Sequence, residues 1–66
     1  MLHGNVKWFD IGQGIGSIEP QDGEDIFVDI SALRRSGIET LEEGQLVVFD
    51  LEWRRGKAMA EDLTIL

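Results

Sequence analysis

The sequence QGIGSI (residues 13–18) decides the fold, because it alternates glycines with larger residues as a strongly bent β-strand does. One face of this strand carries Gly14, Gly16 and Ile18. The other carries Ile15 and Ser17. Glycines let a strand bend within a small barrel, so the stretch predicts a barrel strand. Two interpretations stay open for its second face: a plain outer surface without a ligand, or a weakened binding surface.

Alternation of apolar and polar residues continues on both sides of this stretch. The other segments with this pattern are GNVKWFD (4–10), DIFVDI (25–30), QLVVFDLEW (45–53) and KAMAEDLTIL (57–66), while GIGSIEP (14–20) extends the first one. SALRRSG (31–37) predicts a short helical turn capped by Ser31 and ended by Gly37. Five short strands with glycine-bearing turns predict an all-β fold, a small closed or partly open barrel.

The predicted faces of two strands name candidate core residues. In the third strand, Ile26, Val28 and Ile30 share the face that we expect to point inward, with Phe27 and Asp29 on the other. In the fourth strand, the shared face carries Val47, Phe49, Leu51 and Trp53. We therefore expect Trp53 to pack in the core or at a sheet edge.

Composition limits the function of the chain. Its 66 residues predict one domain, 1–66, and the absence of cysteine excludes disulfides and thiolate chemistry. The start MLHGNVKW has no basic segment followed by an apolar run, so we expect a cytoplasmic protein without a membrane span. The formal net charge of −7 opposes generic binding to polyanions. Binding to nucleic acid therefore has to rest on local stacking.

Over essentially its whole length the sequence resembles the bacterial cold-shock proteins. The resemblance lies in GNVKWFD, GIGSI, DIFVDISAL (25–33), TLEEGQLVVFDLE (40–52) and GKAMAEDL (56–63). It implies a five-stranded antiparallel barrel of the oligonucleotide-binding type. It also implies an RNA chaperone that binds single-stranded RNA or DNA, with pyrimidine-rich strands expected, by stacking bases on aromatic side chains.

The resemblance supplies the candidate binding residues, which are Lys7, Trp8, Phe9, Ile15, Ser17, Asp25, Phe27, Asp29, Ile30 and Ile38. Aromatic or bulky family residues are replaced by isoleucine or serine at four of these positions, and histidine is replaced by Asp29. Stacking is worth about 1–3 kcal/mol per base, so these losses predict binding weakened by about a hundredfold. The Asp29 carboxylate is expected to repel phosphates.

Alternatives remain for several groups. Trp8 and Phe27 could be ordinary half-buried barrel aromatics, although Lys7 beside Trp8 favours a binding role. The basic residues in the predicted turns could be solvated charges or phosphate contacts; these are Arg34, Arg35, Arg54, Arg55 and Lys57. A protein-interaction or self-association module, including a homodimer, is the alternative function, because the substitutions leave an apolar patch rimmed by acid.

Catalysis and metal binding find no support in the sequence. His3 is the one histidine, and no cysteine exists to complete a nucleophilic site. DGEDIFVD (22–29) lacks the spacing of a calcium loop, and GQGIG (12–16) lacks that of a phosphate loop. We therefore expect a protein that is not an enzyme and that needs neither a metal nor another cofactor.

Overall fold

Alternation in the sequence translates directly into strands. A computed structural model describes residues 1–66, and the elements in chain order are β1 (Leu2–Asp10), β2 (Ile15–Pro20), β3 (Ile26–Asp29), α1 (Ile30–Arg35), β4 (Leu46–Arg54) and β5 (Lys57–Ile65). The prediction of an all-β fold with five strands and one short helix is confirmed. The β4–β5 hairpin turns at Arg55 and Gly56, both with positive φ.

The five strands close into a barrel in the order β1-β2-β3-β5-β4, with β4 returning to pair with β1. Four of the five pairings are antiparallel, but β3 and β5 run parallel, in register at Phe27 and Met59. The prediction of a purely antiparallel barrel is therefore wrong. The reason is geometric: strand direction cannot alternate at every step around a closed ring with an odd number of strands.

The core fills the barrel with inward-facing side chains from every strand. Its fully buried members include Val6, Ile18, Val28, Val47 and Phe49. Of the predicted core residues of the third strand, Ile26 and Val28 are buried, and Ile30 packs against the core from the start of α1. Removing such side chains from water is the main source of stability for a domain of this size.

The β4–β5 hairpin extends beyond the packed core. Leu51 pairs with the buried Ala60, and Trp53 pairs with Ala58, so both side chains share the core face. Nevertheless Leu51 is 43% exposed and Trp53 is 70% exposed. The prediction that Trp53 packs in the core or at a sheet edge is wrong, because β4 has nine residues and β3 only four, which leaves the end of β4 uncovered. The alternation predicted the correct face but not where the core ends.

Helix α1 begins at a different cap from the predicted one. The side chain of Asp29, not that of Ser31, accepts the hydrogen bond from the backbone N–H of Ala32, at 2.9 Å. The predicted end is confirmed, since Gly37 has a φ of 75° in the left-handed region. No helix of the chain is long and apolar enough to cross a membrane.

Candidate nucleic-acid interface

Two aromatic rings lie in one row on the outside of the barrel. Ser17 pairs with Trp8 of β1 on one side and with Phe27 of β3 on the other, and residues directly opposite each other share a face. Trp8 is 45% exposed and Phe27 is 36% exposed, whereas Ser17 between them is only 4% exposed. We call Trp8, Ser17 and Phe27 the stacking row. It presents two rings on either side of a recessed serine, roughly 10 Å apart by two strand spacings.

A β-bulge gives Trp8 its outward position. The pairing of β1 with β2 shifts between Val6 and Trp8, so that Val6 points into the core and Trp8 points outward. Phe9 then faces inward and packs against the core. A Cβ atom on Gly16 would lie 2.5 Å from Cδ1 of Phe9 and 2.6 Å from the carbonyl oxygen of Trp8. Glycine at position 16 is thus required by the close approach of β1.

Lys7 and Asp25, both candidate binding residues, bind each other at the edge of the row. The Nζ atom of Lys7 donates a 2.9 Å hydrogen bond to Oδ2 of Asp25. This hydrogen bond, together with the negative charge of Asp25, raises the pKa of Lys7 above its ordinary value. Both side chains are solvent-exposed, and such pairs exchange readily with other partners. The cation can therefore turn to a phosphate only by leaving Asp25.

Lys57 lies against the other end of the stacking row. Its Nζ atom is 5.8 Å from the centroid of the Phe27 ring, a cation–π distance. The side chain forms no ion pair. Of the basic residues named from the sequence, Lys57 is the one that the structure brings directly to an aromatic ring of the row.

Asp29 and two arginines belong to an ion-pair network instead. Arg54 donates hydrogen bonds to Asp29 at 3.2 Å, to Glu52 at 2.8 Å and to Glu61, and Arg35 donates two to Glu61 at 2.8 and 2.9 Å. Burial acts to raise the pKa of Glu61, but the hydrogen bonds from Arg35 and Arg54 outweigh it, so this pKa lies below its ordinary value. The network joins β3, α1, β4 and β5, and Arg54 neutralises the Asp29 charge.

The remaining binding residues and phosphate contacts expected from the sequence lie around the stacking row rather than in it. Ile15 is half-buried on the outer face of β2, between Asp10 and Asp29. Ile30 and Ile38 pack against the core, so the predicted apolar patch is smaller than the sequence suggested. Arg34 and Arg55 are exposed and form no ion pair.

A groove beside Phe27 is the feature that the sequence analysis missed. It has a volume of about 680 Å³ and lies between the β2–β3 turn and the β4–β5 hairpin. We call it the hairpin groove and define it by Ile26, Phe27, Leu51, Trp53 and Lys57. In the sequence, Trp53 and Lys57 flank the turn RRG (54–56), and this spacing could have indicated that both side chains lie near the tip of the hairpin.

Comparison with known proteins identifies the family. A sequence profile described as the 'Cold-shock' DNA-binding domain matches residues 2–66. The chain is similar to the major cold shock protein of Streptococcus pyogenes serotype M6, with 44% identity over 66 residues, 100% of this chain and 98% of that protein. It is also similar to the cold shock-like protein CspC of Bacillus cereus, with 50% identity over 50 residues, 76% and 77% of the two chains. Cold shock protein 1 of Lactiplantibacillus plantarum is 52% identical over 52 residues, 79% of each chain. The chain therefore belongs to the cold-shock domain family, and its five-stranded barrel is the oligonucleotide-binding fold of that family.

Proposed function

We propose that this protein binds single-stranded RNA or DNA through the stacking row, as an RNA-chaperone type of cold-shock protein. The observation that carries the proposal is the register that puts Trp8 and Phe27 on one outer face, both partly exposed. Flat apolar rings at this spacing suit two bases of one strand, because every base has a face that stacks on an aromatic ring. Duplexes hide those faces, so binding favours the single-stranded form.

We further propose that this binding is weak. Only two rings form the row, Ser17 is too recessed to contact a base, and Lys7 is held by Asp25. Lys57 favours binding, since its ammonium group can contact a phosphate once a base covers Phe27. The proposed activity is binding rather than catalysis. Pyrimidine-rich strands are the proposed ligands, as the resemblance implies, because such preferences come from stacking strength and backbone flexibility rather than from hydrogen bonds.

The test uses a Trp53→Phe variant, in which Trp8 is the single tryptophan. Its fluorescence is titrated with oligothymidine and oligouridine of about eight nucleotides, a length within the range that one such barrel binds. We expect saturable quenching, because a base stacked on Trp8 changes the surroundings of the indole. Fluorescence that stays constant up to about 1 mM oligonucleotide, a limit of roughly 4 kcal/mol of binding, would contradict the proposal.

A second variant checks that the quenching comes from the row. Introducing Phe27→Ala removes the neighbouring ring, and we expect affinity to fall by about 5- to 150-fold, the range that stacking energies give. Leu46→Ala is the matched control, since Leu46 is an exposed apolar residue of β4 paired with Asn5, away from the row. It should leave the affinity unchanged.

A further inference from the structure

A second row of side chains lies beside the stacking row on the outer face of the barrel. Ile15 pairs with Asp10 of β1 on one side and with Asp29 of β3 on the other. Each of these residues is two positions along its strand from a member of the stacking row, so the two rows share one face. Ile15 and Asp29 are both half-buried. A nucleotide next to the one stacked on Phe27 would therefore meet these two side chains.

The Asp29 carboxylate is held in place through both of its oxygens. Oδ1 accepts from the backbone N–H of Ala32 at 2.9 Å, and Oδ2 accepts from Nη1 of Arg54 at 3.2 Å. Arg54 also balances the charge of Asp29, which lowers its repulsion of the phosphates of a bound strand. The Asp29 side chain is still 26% exposed. A carboxylate has about four acceptor sites and no donor, so each oxygen keeps room for one more N–H group.

A group that accepts and does not donate discriminates among the bases. The Watson–Crick edge of guanine carries two neighbouring donors, N1–H and the 2-amino group, which match the two oxygens of a carboxylate. Adenine and cytosine each have a single amino group beside a ring nitrogen that accepts. In thymine and uracil the one N–H lies between two carbonyl oxygens, which a carboxylate repels. This edge is free for recognition in a single strand, because no pairing partner covers it.

We propose that Asp29 is a specificity-determining residue that selects guanine at one position of the bound strand. The guanine ring lies against Ile15, while its N1–H and 2-amino groups donate to the Asp29 carboxylate. The inference rests on the proposed function and deepens it, since a pyrimidine-rich strand that contains one guanine binds more tightly than a strand without one. Asp29 thereby gains a binding role in place of the repulsion expected from the sequence.

The test compares four DNA strands of about eight nucleotides that are thymine throughout except at one interior position. That position holds guanine, hypoxanthine, adenine or thymine, and Trp8 fluorescence in the Trp53→Phe variant reports each affinity. We expect the guanine strand to bind at least about fivefold more tightly than the adenine and thymine strands, the lower limit for a bidentate base contact. Adenine controls for stacking, because it is also a purine. Hypoxanthine lacks the 2-amino group and should lose most of the gain.

The outcomes separate this inference from the proposed function. Equal affinities for the guanine and adenine strands would overturn the inference and leave the proposed function standing. Constant fluorescence with all four strands would overturn both. A hypoxanthine strand that binds as tightly as the guanine strand would also overturn the inference, because the 2-amino group would then make no contact.

The variant Asp29→Asn tests the carboxylate itself. Asparagine caps a helix as well as aspartate does, so α1 keeps its N-cap, but an NH₂ donor replaces one of the two acceptor oxygens. We expect the affinity ratio of the guanine strand to the adenine strand to fall to about one. Glu43→Gln is the matched control, since it removes an exposed carboxylate elsewhere and should keep the ratio. A guanine preference that persists in folded Asp29→Asn, or an equal loss of affinity for every strand, would overturn the inference.

Discussion

At the scale of single residues, Asp29 shows what the alternation of apolar and polar residues can predict and what it cannot. Alternation put Asp29 on the outer face, and the resemblance made its carboxylate a repulsive neighbour of bound phosphate. In the folded chain this carboxylate accepts from Ala32 and from Arg54, which lies 25 residues further along. Alternation could predict the outward face of Phe27, but neither the bulge that turns Trp8 outward nor a contact set by a distant arginine.

Restoring rings to β2 should strengthen binding. The double variant Ile15→Phe with Ser17→Phe adds two stacking surfaces, one of them in the gap between Trp8 and Phe27. Asp29 is kept, because replacing an N-cap costs about 1 kcal/mol of stability. We expect oligothymidine to bind at least about tenfold more tightly, measured by tryptophan fluorescence. A folded double variant with unchanged affinity would show that the spacing of the row, not its lack of rings, limits binding.

At the scale of elements, the bounds of the strands could be predicted from the sequence. How far the β4–β5 hairpin extends beyond the packed core could not. Turns that are visible in the sequence separate β1 from β2, β2 from β3 and β4 from β5, and Gly16 is fixed by the approach of Phe9. Whether Leu51 and Trp53 are covered depends instead on the length of other strands. The same holds for Glu61, whose partners come from α1 and β4.

The ion-pair network should make part of the stability depend on pH. The folded-state pKa of Glu61 lies below the ordinary value of 4.5, so its contribution is fully present above that value and is lost as the pH falls through the folded pKa. We expect Glu61→Gln to lower the urea midpoint near neutral pH. The difference from the unmodified protein should shrink as the pH falls below 4.5, and it should vanish once the Glu61 carboxyl group is protonated in both the folded and the unfolded state.

The matched control for this measurement is Glu43→Gln. Glu43 is exposed and forms no ion pair, so its replacement changes the net charge by the same amount without touching the network. Equal midpoints for Glu61→Gln and the unmodified protein near neutral pH would show that the network does not contribute to stability.

At the scale of the whole molecule, fewer cations are free to meet a phosphate than the composition alone suggests. The chain has 6 lysines and arginines against 13 carboxylate side chains, and three of the six, Lys7, Arg35 and Arg54, are held in ion pairs. Composition predicted that binding must depend on stacking. It could not predict which cations stay free, because the pairs join segments far apart in the sequence.

The salt dependence of binding should therefore be shallow. Only Arg34, Arg55 and Lys57 are free to neutralise phosphates, and each phosphate contributes about −0.7 to the slope of log K against log salt for a single strand. We expect a slope of about −2 or shallower in fluorescence titrations over a range of salt concentrations. A slope near about −4 would require the paired cations as well and would contradict this account of the charges.

The odd number of strands has a dynamic consequence. The β3–β5 seam is the one place where the ring closes in parallel, with a single residue pair in register, and it should be the first part of the barrel to open transiently. Amide hydrogens there should exchange with solvent sooner than those between β1 and β2. A base stacked on Phe27 rests beside that seam, so occupancy of the stacking row should slow this exchange.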